Sequence, residues 1–197
     1  DNAEDGNTLR EAIEFAVSIG GGEITFAAGK DWESMGTITL SSSIAFNEDL
    51  VGDITIDGSY TKADGSAGRI NIVNGYTLNA KGQKVYKDIY LFQLTDTVTT
   101  STSSVTFRNV DFNGSQFTAA RNVGFVLALG KVKVTLDNVV ISNNTMKGTD
   151  SSIVWTKPAD GYYAGFLHVS SSSSLSILNS KIQDNTFVFG RTTNSGS

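Results

Sequence analysis

One histidine, twenty Asp and Glu and no cysteine set the chemistry open to this 197-residue chain. Without Cys there is no disulfide and no thiolate metal site. Glycosidic hydrolysis needs two carboxyls about 5–5.5 or 6.5–9.5 Å apart. Asp53 and Asp57 share one face of a predicted strand, but four residues at ~3.3 Å each separate them by about 13 Å. Asp57, Asp64 and Asp88 cluster only if folding brings them together. The Asp-Gly pairs at Asp57, Asp64 and Asp160 read as turns. His168 falls on a strand face with Phe166, with no Ser and carboxylate at a fixed spacing to complete a triad. The expectation is no catalytic residue, no metal and no cofactor.

Binding has better candidates than catalysis. Trp155, Tyr162 and Tyr163 lie within nine positions, beside Pro158 and Asp160-Gly161. Aromatic rings give large contact area at small entropic cost. Trp32 is a weaker candidate of the same kind. Asn109, Asn138 and Asn179 recur at matched places and read as a structural ladder at a turn, since Asn tolerates left-handed backbone. Ser170 to Ser174 reads as a turn. Asn113 and Asn143 open Asn-x-Ser/Thr sequons, which arise readily by chance.

The elements that must position these residues follow from the pattern. Thr8 and Glu11 have capping-box spacing, with Leu9, Ala12, Ile13, Ala16 and Val17 on one face and Gly20 to Gly22 as a stop. This predicts a helix over residues 8–19. The rest reads as short alternating strands, at 24–26, 37–40, 53–57, 69–73, 89–94 and 125–129. Three segments repeat: VTFRNVDFNGS from Val105, VTLDNVVISNN from Val134 and LSILNSKIQDN from Leu175. Their asparagines are 29 and 41 residues apart. Gly124-Phe125 and Gly165-Phe166 match as well, so the longer step is a dozen-residue insertion within 142–164. Val105, Phe107, Val134, Leu136, Leu175 and Ile177 are expected to point inward in columns.

Short strands and tight turns repeating without helices predict an all-β chain, a parallel β-helix (solenoid) with an N-terminal capping α-helix. Residues 1–197 form one domain, expected to be the N-terminal fragment of a longer repeat protein, since 186–190 resembles the start of a further coil. A net charge of −5 argues against nucleic acid and anionic membranes as partners. Ser 23, Thr 21 and Asn 15 give the polar, uncharged surface common in extracellular β-proteins.

The order TLREAIEFAV, GGGEITFAAG, ITL, DITIDGS from Thr8 to Ser59 resembles the N-terminal region of bacterial surface proteins with an LREAI motif. Those carry pectin-lyase-like right-handed β-helices, as in autotransporter passengers and polymorphic outer-membrane-protein-like adhesins. The resemblance implies a secreted or surface-exposed adhesive stalk at the bacterial outer membrane, with its anchor outside this chain. Its partners would be a host-cell receptor, glycan or other surface ligand. Trp155, Tyr162 and Tyr163 are then the expected binding loop. A polysaccharide lyase or hydrolase on the same fold, and a bare spacer, are the alternatives.

Overall fold

The computed structural model describes residues 8–27, 36–46, 52–87, 89–96, 102–117, 123–147, 165–170 and 172–188. The helix α1 (Leu9–Ser18) starts at Thr8, whose hydroxyl accepts from the Glu11 amide at 3.1 Å while Glu11 accepts from the Thr8 amide at 2.8 Å. That reciprocal pair satisfies two otherwise orphaned donors. Leu9, Ile13 and Ala16 are buried, one face of the 3.6-residue period. Arg10 ties the helix down by donating to the Ser43 carbonyl at 2.8 Å and the Ser42 hydroxyl at 2.9 Å. The helix stops where Gly20 takes φ +84°. Gly21 follows at φ +125°, where a Cβ would sit 2.7 Å from the Asp53 carbonyl, so only glycine lets the chain pass this close.

The described chain beyond α1 is mostly strand, in four parallel sheets and two short antiparallel excursions. The first sheet takes β1 (Gly22–Ile24), β4 (Asp53–Asp57), β10 (Ser103–Arg108), β14 (Val132–Asp137) and β18 (Ser174–Leu178), in that spatial order. The second takes β2 (Thr37–Leu40), β6 (Ala67–Asn74), β11 (Val110–Asn113), β15 (Val140–Ser142) and β19 (Lys181–Gln183). The third takes β12 (Gln116–Phe117), β16 (Thr145–Lys147) and β20 (Thr186–Val188). The fourth takes β3 (Ile44–Phe46), β9 (Tyr90–Asp96), β13 (Gly124–Gly130) and β17 (Leu167–Val169). The chain therefore visits the sheets in one cyclic order, and each pass lays its strands beside those of the pass before.

The register follows the sequence repeat. Val105 lies opposite Val134 and Val134 opposite Leu175; Phe112 lies opposite Ile141 and Ile141 opposite Ile182. Side chains alternate in and out along β10 and β14, and the inward ones lie in the core. Phenylalanines run through it. Phe92 lies 4.8 Å from Phe107, Phe112 stacks on Phe125 at 4.8 Å, and Phe125 on Phe166 at 5.2 Å. These are offset and edge contacts that rings favour over a face-to-face sandwich. The helix packs against β1 and β3, the edge strands of the first and fourth sheets.

Three features depart from expectation. The first strand is Gly22–Ile24, two residues earlier than its β-branched residues indicate, because Gly22 already pairs with Ile54. Leu175 and Ile177 keep their columns but are 37 % and 44 % exposed, whereas Val134 and Leu136 beside them are fully buried. Alternation fixes where a side chain points; burial also needs a strand on both sides, and β18 is the edge of its sheet. The second pass is also longer than the repeat implies. Ile54 meets Val105 51 residues on, against 29 from Val105 to Val134. The surplus holds two antiparallel excursions: β5 (Ser59–Thr61) against the start of β6, and a hairpin of β7 (Tyr76–Leu78) with β8 (Lys84–Tyr86).

Candidate functional site

Left-handed residues, most of them asparagine, shape two turns of each later pass. Asn109, Asn138 and Asn179 follow their strands of the first sheet at φ +53°, +55° and +51°. Asn138 Nδ2 donates to Asn109 Oδ1 at 2.7 Å, Asn109 Nδ2 to Asp57 Oδ1 at 2.9 Å, and Asn179 Nδ2 to Asp137 Oδ1 at 3.0 Å. Their polar atoms thus serve neighbouring passes and the left-handed turn. After the second sheet, Gly114, Asn143 and Asp184 take φ +87°, +54° and +54°. The next residues face inward. Asn144 is fully buried, donates to the Phe112 carbonyl at 2.7 Å and accepts from the Ser115 amide at 2.8 Å. Asn185 repeats this one pass on, donating to the Ile141 carbonyl at 2.9 Å.

The outer face of the first sheet carries the charges. Asp57, Arg108 and Asp137 form one column across adjacent strands, with Thr55, Thr106 and Thr135 in the next. Arg108 Nη1 lies 3.3 Å from Glu23 and 3.9 Å from Asp57, and its Nε 3.8 Å from Asp137. Burial pushes the Asp57 carboxyl up, but hydrogen bonds from the Asn109 side chain and from Ser59, with the Arg108 charge, outweigh it and hold it below the usual range. Asp57 and Asp137 are two strand spacings apart, about 9.6 Å. Both pair electrostatically with one shared guanidinium, and Asp57 stays ionised at neutral pH, which suits it poorly to proton donation. Asp53 is on the same outer face and accepts from the Ser104 hydroxyl. Asp64 caps its own turn, accepting from Ser66 at 2.6 Å and 2.9 Å.

At the corner between the first two sheets, Arg69 pairs with Asp111 at 2.7 Å and donates to Asn138 Oδ1 at 3.1 Å. Desolvation raises the Asp111 carboxyl despite the opposing charge of Arg69. His168 lies opposite Leu127, and burial lowers its basicity. Ser173 closes a turn on the Ser170 carbonyl at 3.0 Å. Among the described residues no three His, Asp or Glu converge as a metal-binding set, and no helix is long and apolar enough to cross a membrane. Trp155, Tyr162, Tyr163, Trp32, Asp88 and Asp160 lie outside the described residues.

One exposed group escaped the sequence reading. In the β7–β8 hairpin Tyr76 pairs with Tyr86 and Leu78 with Lys84, and the pleat puts all four on one face. Tyr76 is 44 % exposed and Leu78 63 %. The tyrosine rings are 5.6 Å apart, and Lys84 Nζ sits 4.3 Å above the Tyr76 ring. Asn79 Oδ1 locks the tip by accepting from the Lys81 and Gln83 amides at 2.9 and 3.0 Å. The signal was present as Tyr-Thr-Leu and Lys-Val-Tyr flanking Asn79 to Gln83, a hairpin pattern hidden by the search for a constant repeat. The hairpin lies in sequence between the second-sheet strand β6 and the fourth-sheet strand β9, and residues 148–164 lie in sequence between the third-sheet strand β16 and the fourth-sheet strand β17.

No family model, no curated protein and no solved structure matches this chain.

Proposed function

We propose that the chain is a right-handed parallel β-helix, capped at its N-terminal end by α1, that acts as a surface-exposed adhesive scaffold holding binding excursions against a host-cell receptor, glycan or other surface ligand. The observation that carries this reading is the contrast between a core repeated pass by pass and the β7–β8 hairpin, which interrupts it between the second and fourth sheets. A constant core supplies rigidity, and loops on rigid scaffolds are where binding concentrates. A spacer gains nothing from exposing Tyr76, Leu78 and Val85 to water, which solvent penalises. The polar, uncharged composition, rich in Ser, Thr and Asn, suits a secreted or outer-membrane-attached location. The insertion carrying Trp155, Tyr162 and Tyr163 supplies further binding residues in this reading.

The alternative, a polysaccharide lyase or hydrolase, rests on the Asp57–Arg108–Asp137 column. Pairing of Arg108 with three carboxylates weighs against it, because a free base or acid at neutral pH is what such chemistry uses. The test is removal of residues 148–160 with a short Gly-Ser link, followed by separate measurements of adhesion of chain-coated beads to cells and of melting temperature. Lost adhesion at an unchanged melting temperature supports the reading. Unchanged adhesion here and on removal of the 76–86 hairpin overturns it.

A further inference from the structure

Resting on that reading, we propose that the Tyr76–Tyr86 face of the β7–β8 hairpin is a binding platform for an acidic polysaccharide, one bearing uronate or sulfate groups. Three observations converge on it. The face is preorganised: an isolated two-stranded ribbon is marginal in water, yet this one is fixed at the tip by Asn79 and at the base by the Lys87 amide, which donates to the Gly75 carbonyl at 2.8 Å. It presents apolar surface where a sugar ring would lie, with Tyr76, Tyr86 and Leu78 on one side of the ribbon and the two rings inclined at 57°.

It is also cationic in an acidic molecule. Residues 75–87 hold Lys81, Lys84 and Lys87 and no carboxylate, while the whole chain carries −5. Asp88, the next residue, lies outside the described residues. An anionic polymer is drawn to this segment and repelled elsewhere. Pyranose CH faces pack on tyrosine, and the Lys84 ammonium, which lies 4.3 Å over the Tyr76 ring, is placed to pair with a carboxylate or sulfate as the sugar displaces it from that face. The polar tip, with Asn79 and Gln83 rather than apolar residues leading, argues for a polymer lying along the ribbon and against insertion into a bilayer.

The experiment uses the 197-residue chain with sodium polygalacturonate, heparin, neutral dextran and poly-glutamate as probes, by titration calorimetry at two salt concentrations. The expected result is saturable binding to at least one acidic polysaccharide, none to dextran, and weakening as salt rises. Tyr76→Ala and Lys84→Gln should each weaken binding about tenfold, the size of one lost stacking or charge contact. Melting temperatures should stay within a degree or two of the parent, since both side chains are exposed. Lys131→Gln, on another corner, is the control and should change nothing. Equal binding to poly-glutamate overturns the carbohydrate assignment, and unchanged binding in both variants overturns the site while leaving adhesive function standing. If acidic polysaccharides do not bind but coated beads still adhere to cells, this inference alone falls; if neither occurs, the adhesive reading falls with it.

Discussion

Leu136→Ala and Ile177→Ala remove the same number of carbons from adjacent places in one inward column, yet their costs should differ by more than twofold. Leu136 is fully buried between Phe107 and Ile177, whereas Ile177 is 44 % exposed. Three carbons at ~0.8 kcal/mol each give about 2.4 kcal/mol of lost transfer energy at Leu136. The cavity left between fixed neighbours raises this to about 3–4 kcal/mol. At Ile177 only the buried fraction counts and no closed cavity forms, so the cost is about 1.3 kcal/mol. The assay is urea unfolding, with the m-value checked for constancy so that a midpoint shift reads as stability. Equal costs, or a Leu136→Ala cost below about 1 kcal/mol, would show that the column is not the core.

Four further outcomes follow from the turns and charges. Asn144→Ala leaves the Ser115 amide without the acceptor it has in the interior and removes a bond to the Phe112 carbonyl, so it should cost about 1–3 kcal/mol in the same unfolding assay, more than an exposed Asn. Asn138→Ala should lose about 1–2 kcal/mol because φ +55° is strained for alanine, and Asn138→Gly should lose less; the reverse order would discount the left-handed turn. The depressed Asp57 carboxyl contributes stability that is present above the ordinary carboxylate range and is lost as pH falls through its lowered value, so Asp57→Asn should flatten the acid limb of a stability–pH profile. Asp111 has the opposite sign: its raised carboxyl costs stability at neutral pH, and protonation on acidification relieves that cost, which Asp111→Asn should abolish.

Local chemistry was legible in the sequence wherever one residue decides one conformation. Thr8 and Glu11 mark the helix start because only a side-chain acceptor at that spacing meets the free amides. The repeated Asn at 109, 138 and 179 marks left-handed turns, and the apolar alternation marks register, since a one-residue slip would turn every inward side chain outward. What the alternation does not encode is which strand has a neighbour on one side only, hence the exposure of Leu175 and Ile177 on β18. Nor does the repeat reveal excursions inside an atypical pass: the 22 extra residues between Ile54 and Val105, relative to the 29-residue step, break the period that makes the others visible. The charge column was out of reach for a different reason. Asp57, Arg108 and Asp137 are neighbours only through pairing of strands far apart in sequence.

The most direct test of the central claim is to incubate the purified 197-residue chain with a panel of acidic and neutral polysaccharides and measure, in the same samples, the protein retained and the size distribution of the polymer afterwards. An adhesive scaffold retains protein on particular polymers and leaves their length unchanged. Shortened polymer, with loss of that activity in Arg108→Ala, would contradict the account and make the Asp57–Arg108–Asp137 column a catalytic one.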